Sequence, residues 1–146
     1  MRATRLIVCL AIGLFGLASV SCTHTTPLTL RCDVDRKRAV PLDALRDSVA
    51  RPAAEFGYEV RYANHQSHLV GFARDRAMSP RVADLPGASA RVDLGIVANS
   101  VSIQDFQHSY ETPFVIALKQ SIERQLQDDF GVSDMCFERK WSPLGP

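Results

Sequence analysis

Residues 112–131 read TPFVIALKQSIERQLQDDFG. Phe114, Leu118, Ile122, Leu126 and Phe130 recur at every fourth position, which lays one apolar stripe along a helix. Thr112 suits the N-cap, Pro113 the first helical position and Gly131 the residue just past the end. The spacing therefore predicts a helix over 112–130. A helix with one apolar face must bury it against something, so the rest of the chain has to supply a complementary surface.

The flanking sequence reads as that surface. Over 91–97, Val92, Leu94 and Ile96 alternate with Arg91, Asp93 and Gly95, the period-two pattern of a half-buried strand. Ala98-Asn99 reads as a turn. Residues 100–106 place Val101 and Ile103 on one face, which completes a hairpin. After the helix, 132–138 reads as a last strand with Met135 and Phe137 on one face. Farther out, residues 75–88 hold Pro80 and Pro86-Gly87 and lack periodicity, so they read as a long loop. Strands over 58–62 and 68–74 flank the turn-forming Asn64-His65-Gln66-Ser67 and make another hairpin.

Residues 41–56 form the second helical stripe, through Leu42, Leu45, Val49, Ala53 and Phe56. Pro52 conflicts with it, because proline removes a backbone donor and should kink or shorten the helix. Residues 28–32 read as a first strand with Leu28, Leu30 and Cys32 on one face. One local echo stands out. Glu55-Phe56-Gly57-Tyr58 and Asp129-Phe130-Gly131-Val132 both run helix, acidic residue, Phe, Gly, strand. The chain uses one helix-to-strand exit twice.

The order is β-α-β-β-(β-β)-α-β, an α+β class in which two helices cover an antiparallel sheet of four to six strands. With the middle hairpin merged, this order resembles the ferredoxin-like βαββαβ unit. That topology makes the first and last strands neighbours. A single domain spans 28–140 and a Pro/Gly tail spans 141–146.

The amino terminus carries an address. Arg2 and Arg5 precede an apolar run over 6–18, followed by Ser19-Val20-Ser21. These are the charged, hydrophobic and small-residue regions of a secretory signal over 1–21, too short for a membrane span. Ser19-Val20-Ser21-Cys22 resembles the lipobox of bacterial lipoproteins, although that family usually carries an aliphatic residue where Ser19 stands. The resemblance implies acylation of Cys22, cleavage before it, and a lipidated tether over 22–27. Thr23 follows the Cys where many inner-membrane lipoproteins carry Asp. The implied location is the outer membrane, with the domain facing the periplasm; Ser19-Val20-Ser21 also satisfies an ordinary signal peptidase, and the alternative is a plain periplasmic protein. The two-helix, one-sheet plan behind a lipidated terminus is also similar, in topology alone, to the lipopolysaccharide-assembly lipoprotein that plugs an outer-membrane barrel.

The chain has four cysteines. Cys9 leaves with the signal and Cys22 is the acylation site, so Cys32 and Cys136 remain. Export places them in an oxidising compartment, where such a pair becomes a disulfide. The bridge closes a loop of about 100 residues, which the chain-entropy model values at roughly 4–5 kcal/mol. One conflict stands: Cys32 shares the face of Leu28 and Leu30, whereas Cys136 opposes Met135 and Phe137. A bulge, or a Cys beyond the strand end, would reconcile the two.

Composition narrows the function. The chain has 146 residues, 17 Lys and Arg against 16 Asp and Glu, and a net charge of +1. One domain is the expectation at this length. No basic excess exists to neutralise phosphates, so a nucleic-acid partner is excluded. With 46% hydrophobic residues the chain can bury a core and is not disordered.

No motif names a reaction. His65-x-x-His68 straddles a turn and lacks further ligands, and Asp33-x-Asp35 lacks the rest of a calcium loop. Asp105, His108, Tyr110 and Glu111 form a polar cluster ahead of the second helix without a nucleophile motif. Asp128-Asp129 reads as a helix end, and no phosphate-binding glycine loop occurs. No catalytic residue, cofactor or metal ligand is therefore assigned.

Binding candidates are Arg74, Arg76 and Arg81, in or beside the long loop, and Trp141, the single tryptophan. The expected function is that of a non-enzymatic accessory or assembly lipoprotein. It holds the membrane through Cys22 and binds a protein partner in the cell envelope. The alternatives are an inhibitor or immunity-type lipoprotein that uses 75–88 as a plug against a cell-wall hydrolase, and a small-ligand-binding or enzymatic protein with its site near His108.

Overall fold

A computed structural model describes residues 26–34, 40–133 and 135–140. The elements in chain order are β1 (Leu28–Asp33), α1 (Leu42–Ala53), a 3-10 turn (Ala54–Phe56), β2 (Glu59–Asn64), β3 (Leu69–Ala73), α2 (Pro80–Ala83), β4 (Val92–Val97), β5 (Ser100–Asp105), α3 (Pro113–Phe130) and β6 (Glu138–Arg139). The strands form one six-stranded sheet in the order β2-β3-β4-β5-β1-β6. Every adjacent pair is antiparallel. The α+β class, the sheet and the two main helices agree with the reading from sequence. β1 lies between β5 and β6, so the first and last strands are neighbours.

The helix over 112–130 forms for the reasons its sequence gives. The Thr112 hydroxyl accepts from the Val115 N–H, and Gly131 closes the end at φ 66° with its N–H on the Gln127 carbonyl. Phe114, Leu118, Ile122 and Leu126 are fully buried. They meet Leu45, Val49 and Ala53 of α1, and the two helices together cover Leu28, Leu30, Val70, Leu94, Ile96, Val101 and Ile103 of the sheet.

Pro52 acts within the last turn of α1. It has no N–H for the carbonyl four residues earlier, and the chain tightens into the 3-10 turn before Gly57.

Two expectations are corrected. Residues 75–88 are not a featureless loop, since they hold α2 and bury Val82 and Ala88. The strand expected over 132–138 is not found: among the described residues from 132 to 139, only Glu138 and Arg139 pair, opposite Arg31 and Leu30. Met135 adopts φ 63° and is 84% exposed, whereas Phe137 is buried, so the two share no face. Cys136 thus lies ahead of β6 rather than inside a strand. Freed from strand alternation, it reaches Cys32 across a Cα–Cα distance of 5.0 Å and forms the disulfide. Cys22, the segment 1–21 and Trp141 lie outside the described residues.

Candidate functional site

The connection from β3 to β4 carries the three arginines singled out in the sequence, and the structure fastens it down. The Arg76 N–H donates to the Gly57 carbonyl at 3.1 Å, Ser79 N–H to Glu55 at 3.0 Å, and Phe114 N–H to Pro86 at 3.1 Å. Gly87, at φ 91°, passes so close to Thr112 that a Cβ would lie 2.4 Å from its hydroxyl. Only glycine fits there. The connection therefore belongs to the core of the domain, tied both to the 3-10 turn and to the start of α3.

The three arginines do not form one patch. Arg76 donates to Glu59 at 2.9 Å and Arg81 to Glu55 at 3.1 Å, both at the surface. Arg74 turns inward. Its guanidinium donates to the Ala90 carbonyl at 2.9 Å and also to the Ala88 carbonyl, with the Met78 sulfur at 3.7 Å. It lies 4.9 Å from the Phe114 ring centre and 5.9 Å from that of Tyr58. Among the described residues, no carboxylate is within ion-pairing distance of Arg74.

A cleft of about 500 Å³ opens beside it, lined by Tyr58, Phe72, Arg74, Arg91, Asp93 and Gln107 among others. Its origin is in the sheet. Pairing between β3 and β4 runs from Leu69↔Val97 to Phe72↔Leu94 and stops, although both strands continue. Beyond that point Ala73 pairs only with Glu59 and Asp93 only with Gln104. On the rim, Arg91 stacks 4.7 Å from the Phe106 ring centre and lies 3.5 Å from Asp93. Below it, the Tyr58 hydroxyl donates to the Val92 carbonyl at 2.6 Å, and burial pushes its phenol well above the ordinary value.

The polar cluster ahead of α3 has a different job. Asp105 is fully buried and accepts from the backbone N–H groups of Gln107 and His108 at 2.8 and 3.1 Å, and it faces His108 Nδ1 at 2.9 Å. It shapes the strand-to-helix corner, with Tyr110 edge-on to His108 at 5.3 Å. Glu111 is held by Lys119 at 2.6 Å. His65 lies 3.6 Å from Asp43 and is not joined with His68 at a site. Asp33 contacts Ser100 and Arg31. Among the described residues no cluster of three or more His, Cys, Asp or Glu could hold a metal ion.

Among the described residues, none packs over the sheet face away from the helices. Tyr62, Gly71, Gly95, Ser102 and Arg31 run across it as paired neighbours. Tyr62 lies over Gly71, where a Cβ would meet its ring at 2.3 Å. Tyr62 is 58% and Val97 49% exposed.

Sequence reasoning missed Tyr58, Arg91 and Asp93 as cleft residues. A signal for Arg91 was present. A two-residue turn at Ala98-Asn99 sets Arg91 opposite Phe106 in the hairpin register, and those two side chains stack. The end of β3–β4 pairing has no such signature. Compared with known proteins, the chain matches no protein-family model, no curated sequence and no solved structure.

Proposed function

We propose that this protein is a lipid-anchored component of a bacterial cell envelope, a non-enzymatic accessory or assembly factor that binds another envelope protein. The observation that carries the reading is the Cys32–Cys136 disulfide. Bridges of this kind persist in oxidising compartments and are rare in the cytosol, which fits a leader over 1–21 and the lipobox-like Ser19-Val20-Ser21-Cys22. The anchor is the acylated Cys22, and its destination is the outer membrane with the domain in the periplasm.

The partner docks on the sheet face away from the helices, around Tyr62 and Val97. Exposed aromatic and aliphatic side chains on an otherwise polar surface are the groups that dominate protein interfaces. The connection over 75–88, fastened to the core by its backbone, is poorly suited to act as a free plug. The accessory reading is thereby favoured over the hydrolase inhibitor.

The test is photo-crosslinking in the native host. A photoreactive residue at Val97 should capture a stoichiometric envelope protein, and the same probe at Gln127, on the exposed side of α3, should not. A soluble cell-wall hydrolase captured at Val97 would replace this reading with the inhibitor. For the anchor, Cys22→Ser should move the protein out of the membrane fraction. Membrane retention in that variant would remove acylation as the means of attachment.

A further inference from the structure

Among the described residues, the half-buried Arg74 cation has no carboxylate within ion-pairing distance. Its neighbouring carbonyls, Ala88 and Ala90, accept its N–H groups but do not cancel its charge. The arginines around it are matched: Arg61 with Asp75, Arg76 with Glu59 and Arg81 with Glu55. Charges drawn into protein are ordinarily paired. Arg74 also lines an open cleft, at the place where two strands separate.

We propose that this cleft binds a small organic anion, whose carboxylate or phosphate lies against Arg74 and Arg91, with the edges of the buried Phe72 and Val92 forming part of the wall. Four observations bear on the assignment. The Arg74 guanidinium is already held in place by two carbonyls and two ring faces, so little ordering is required when an anion arrives. A planar guanidinium matches the oxygens of carboxylate and phosphate better than a point charge does. The charged side chains lining the cleft are Arg74, Arg91 and Asp93, and the buried Asp105 carboxylate acts behind its wall at Tyr58, so the attraction for an anion comes from the two guanidiniums rather than from a net charge. The cleft, at about 500 Å³, has the size of a small-molecule site.

Asp93 sets the affinity. It lies 3.5 Å from Arg91 and competes with the incoming anion for that guanidinium. Replacing it should therefore strengthen binding, the opposite of what loss of a direct contact does.

The experiment titrates the detergent-solubilised full chain with hexanoate and, separately, with inorganic phosphate, following backbone amide shifts. The expected result is saturable movement of Ala73, Arg74, Arg91, Asp93 and Gln107 with at least one probe. Hexanoate alone would identify a carboxylate with an apolar tail, and phosphate alone a phosphate ester. Arg91→Gln should weaken binding by about tenfold or more, and Asp93→Asn should tighten it. Arg74→Lys, which keeps the charge but loses the fork, should also weaken it, but Arg74 holds the loop as well, so Arg91 carries the decision. Absence of saturable shifts from both probes up to about 10 mM, or Arg91→Gln titrating like the parent, would overturn the proposal.

Discussion

The chain leaves a helix twice through nearly the same four residues, and the two exits are held in different ways. At the first, Phe56 is buried edge-to-face against Phe114 at 5.5 Å. Gly57 turns at φ 83° with its carbonyl bonded to Arg76, and Tyr58 leads straight into β2. At the second, Phe130 is only half-buried and Gly131 turns at φ 66°. Among the described residues, the next strand is the two-residue β6. Order there comes from outside the exit: the Cys32–Cys136 bridge and a bond from the Phe137 N–H to Glu123 at 3.1 Å. A shared local motif fixes the turn. What the chain does next depends on whether tertiary contacts wait for it.

The largest test of that contrast is truncation of the two phenylalanines. Phe56→Ala should destabilise the domain by about 3–5 kcal/mol, the range for emptying a buried aromatic site. Phe130→Ala should cost less than about 2 kcal/mol, since its surroundings already admit water. Urea unfolding of both variants measures the gap, and equal losses would remove the distinction between the exits.

Loss of the bridge comes next. Cys32→Ser with Cys136→Ser should cost about 2–5 kcal/mol. Its distinguishing mark is location. Amide exchange should accelerate in β1 and β6 while the β2–β3 hairpin keeps its relative protection. Uniform acceleration would mean that the disulfide supports the whole domain equally.

The glycines give a finer comparison. A Cβ at Gly57 would lie 2.6 Å from the Arg76 carbonyl oxygen, whereas at Gly131 it would meet nothing within 4 Å. Both carry the left-handed backbone penalty, about 1–2 kcal/mol for a non-glycine residue. Gly131→Ala should therefore cost about 1 kcal/mol and Gly57→Ala about 2–3 kcal/mol, with the clash added. Thermal unfolding that ranks them in the reverse order would show that the contact at Gly57 yields without strain.

The legible part of this fold is the part with period. The stripe from Phe114 to Leu126 and the alternation of Val92, Leu94 and Ile96 report burial directly, because each position repeats one environment; only Phe130, at the helix end, departs from it. The fault over 132–138 came from the same rule. Met135 and Phe137 alternate as strand residues do, but the cysteine pair already conflicted with that alternation, and Cys136 lies ahead of β6, outside the paired residues, where it bonds Cys32. The connection over 75–88 was opaque for another reason. Its order rests on backbone bonds to Gly57, Glu55 and Pro86, which side-chain patterns do not encode. From sequence Arg74 was one of three equivalent binding candidates for that reason, since only the folded loop supplies the carbonyls that turn it inward.

The smallest effects separate the exits along the pH scale. Asp33, in β1 beside the second exit, has its carboxyl held below the ordinary 3.8 by the Ser100 hydroxyl first and by Arg31. A carboxyl lowered in the folded state contributes stability above its unfolded value and loses it as pH falls through the folded one. Tyr58, at the first exit, is the reverse case. Burial raises its phenol above the ordinary 10.0, so its contribution is complete below that pH and declines as pH rises past it. Asp33→Asn should thus flatten the acid limb of the stability curve below about pH 4 and leave the alkaline limb alone. Tyr58→Phe should cost about 1 kcal/mol at neutral pH, for the bond to Val92, and flatten only the alkaline limb. Urea midpoints for both variants between about pH 2 and pH 11 check this. A variant that alters the opposite limb would mean that the charge environments of the two exits are coupled through the sheet between them.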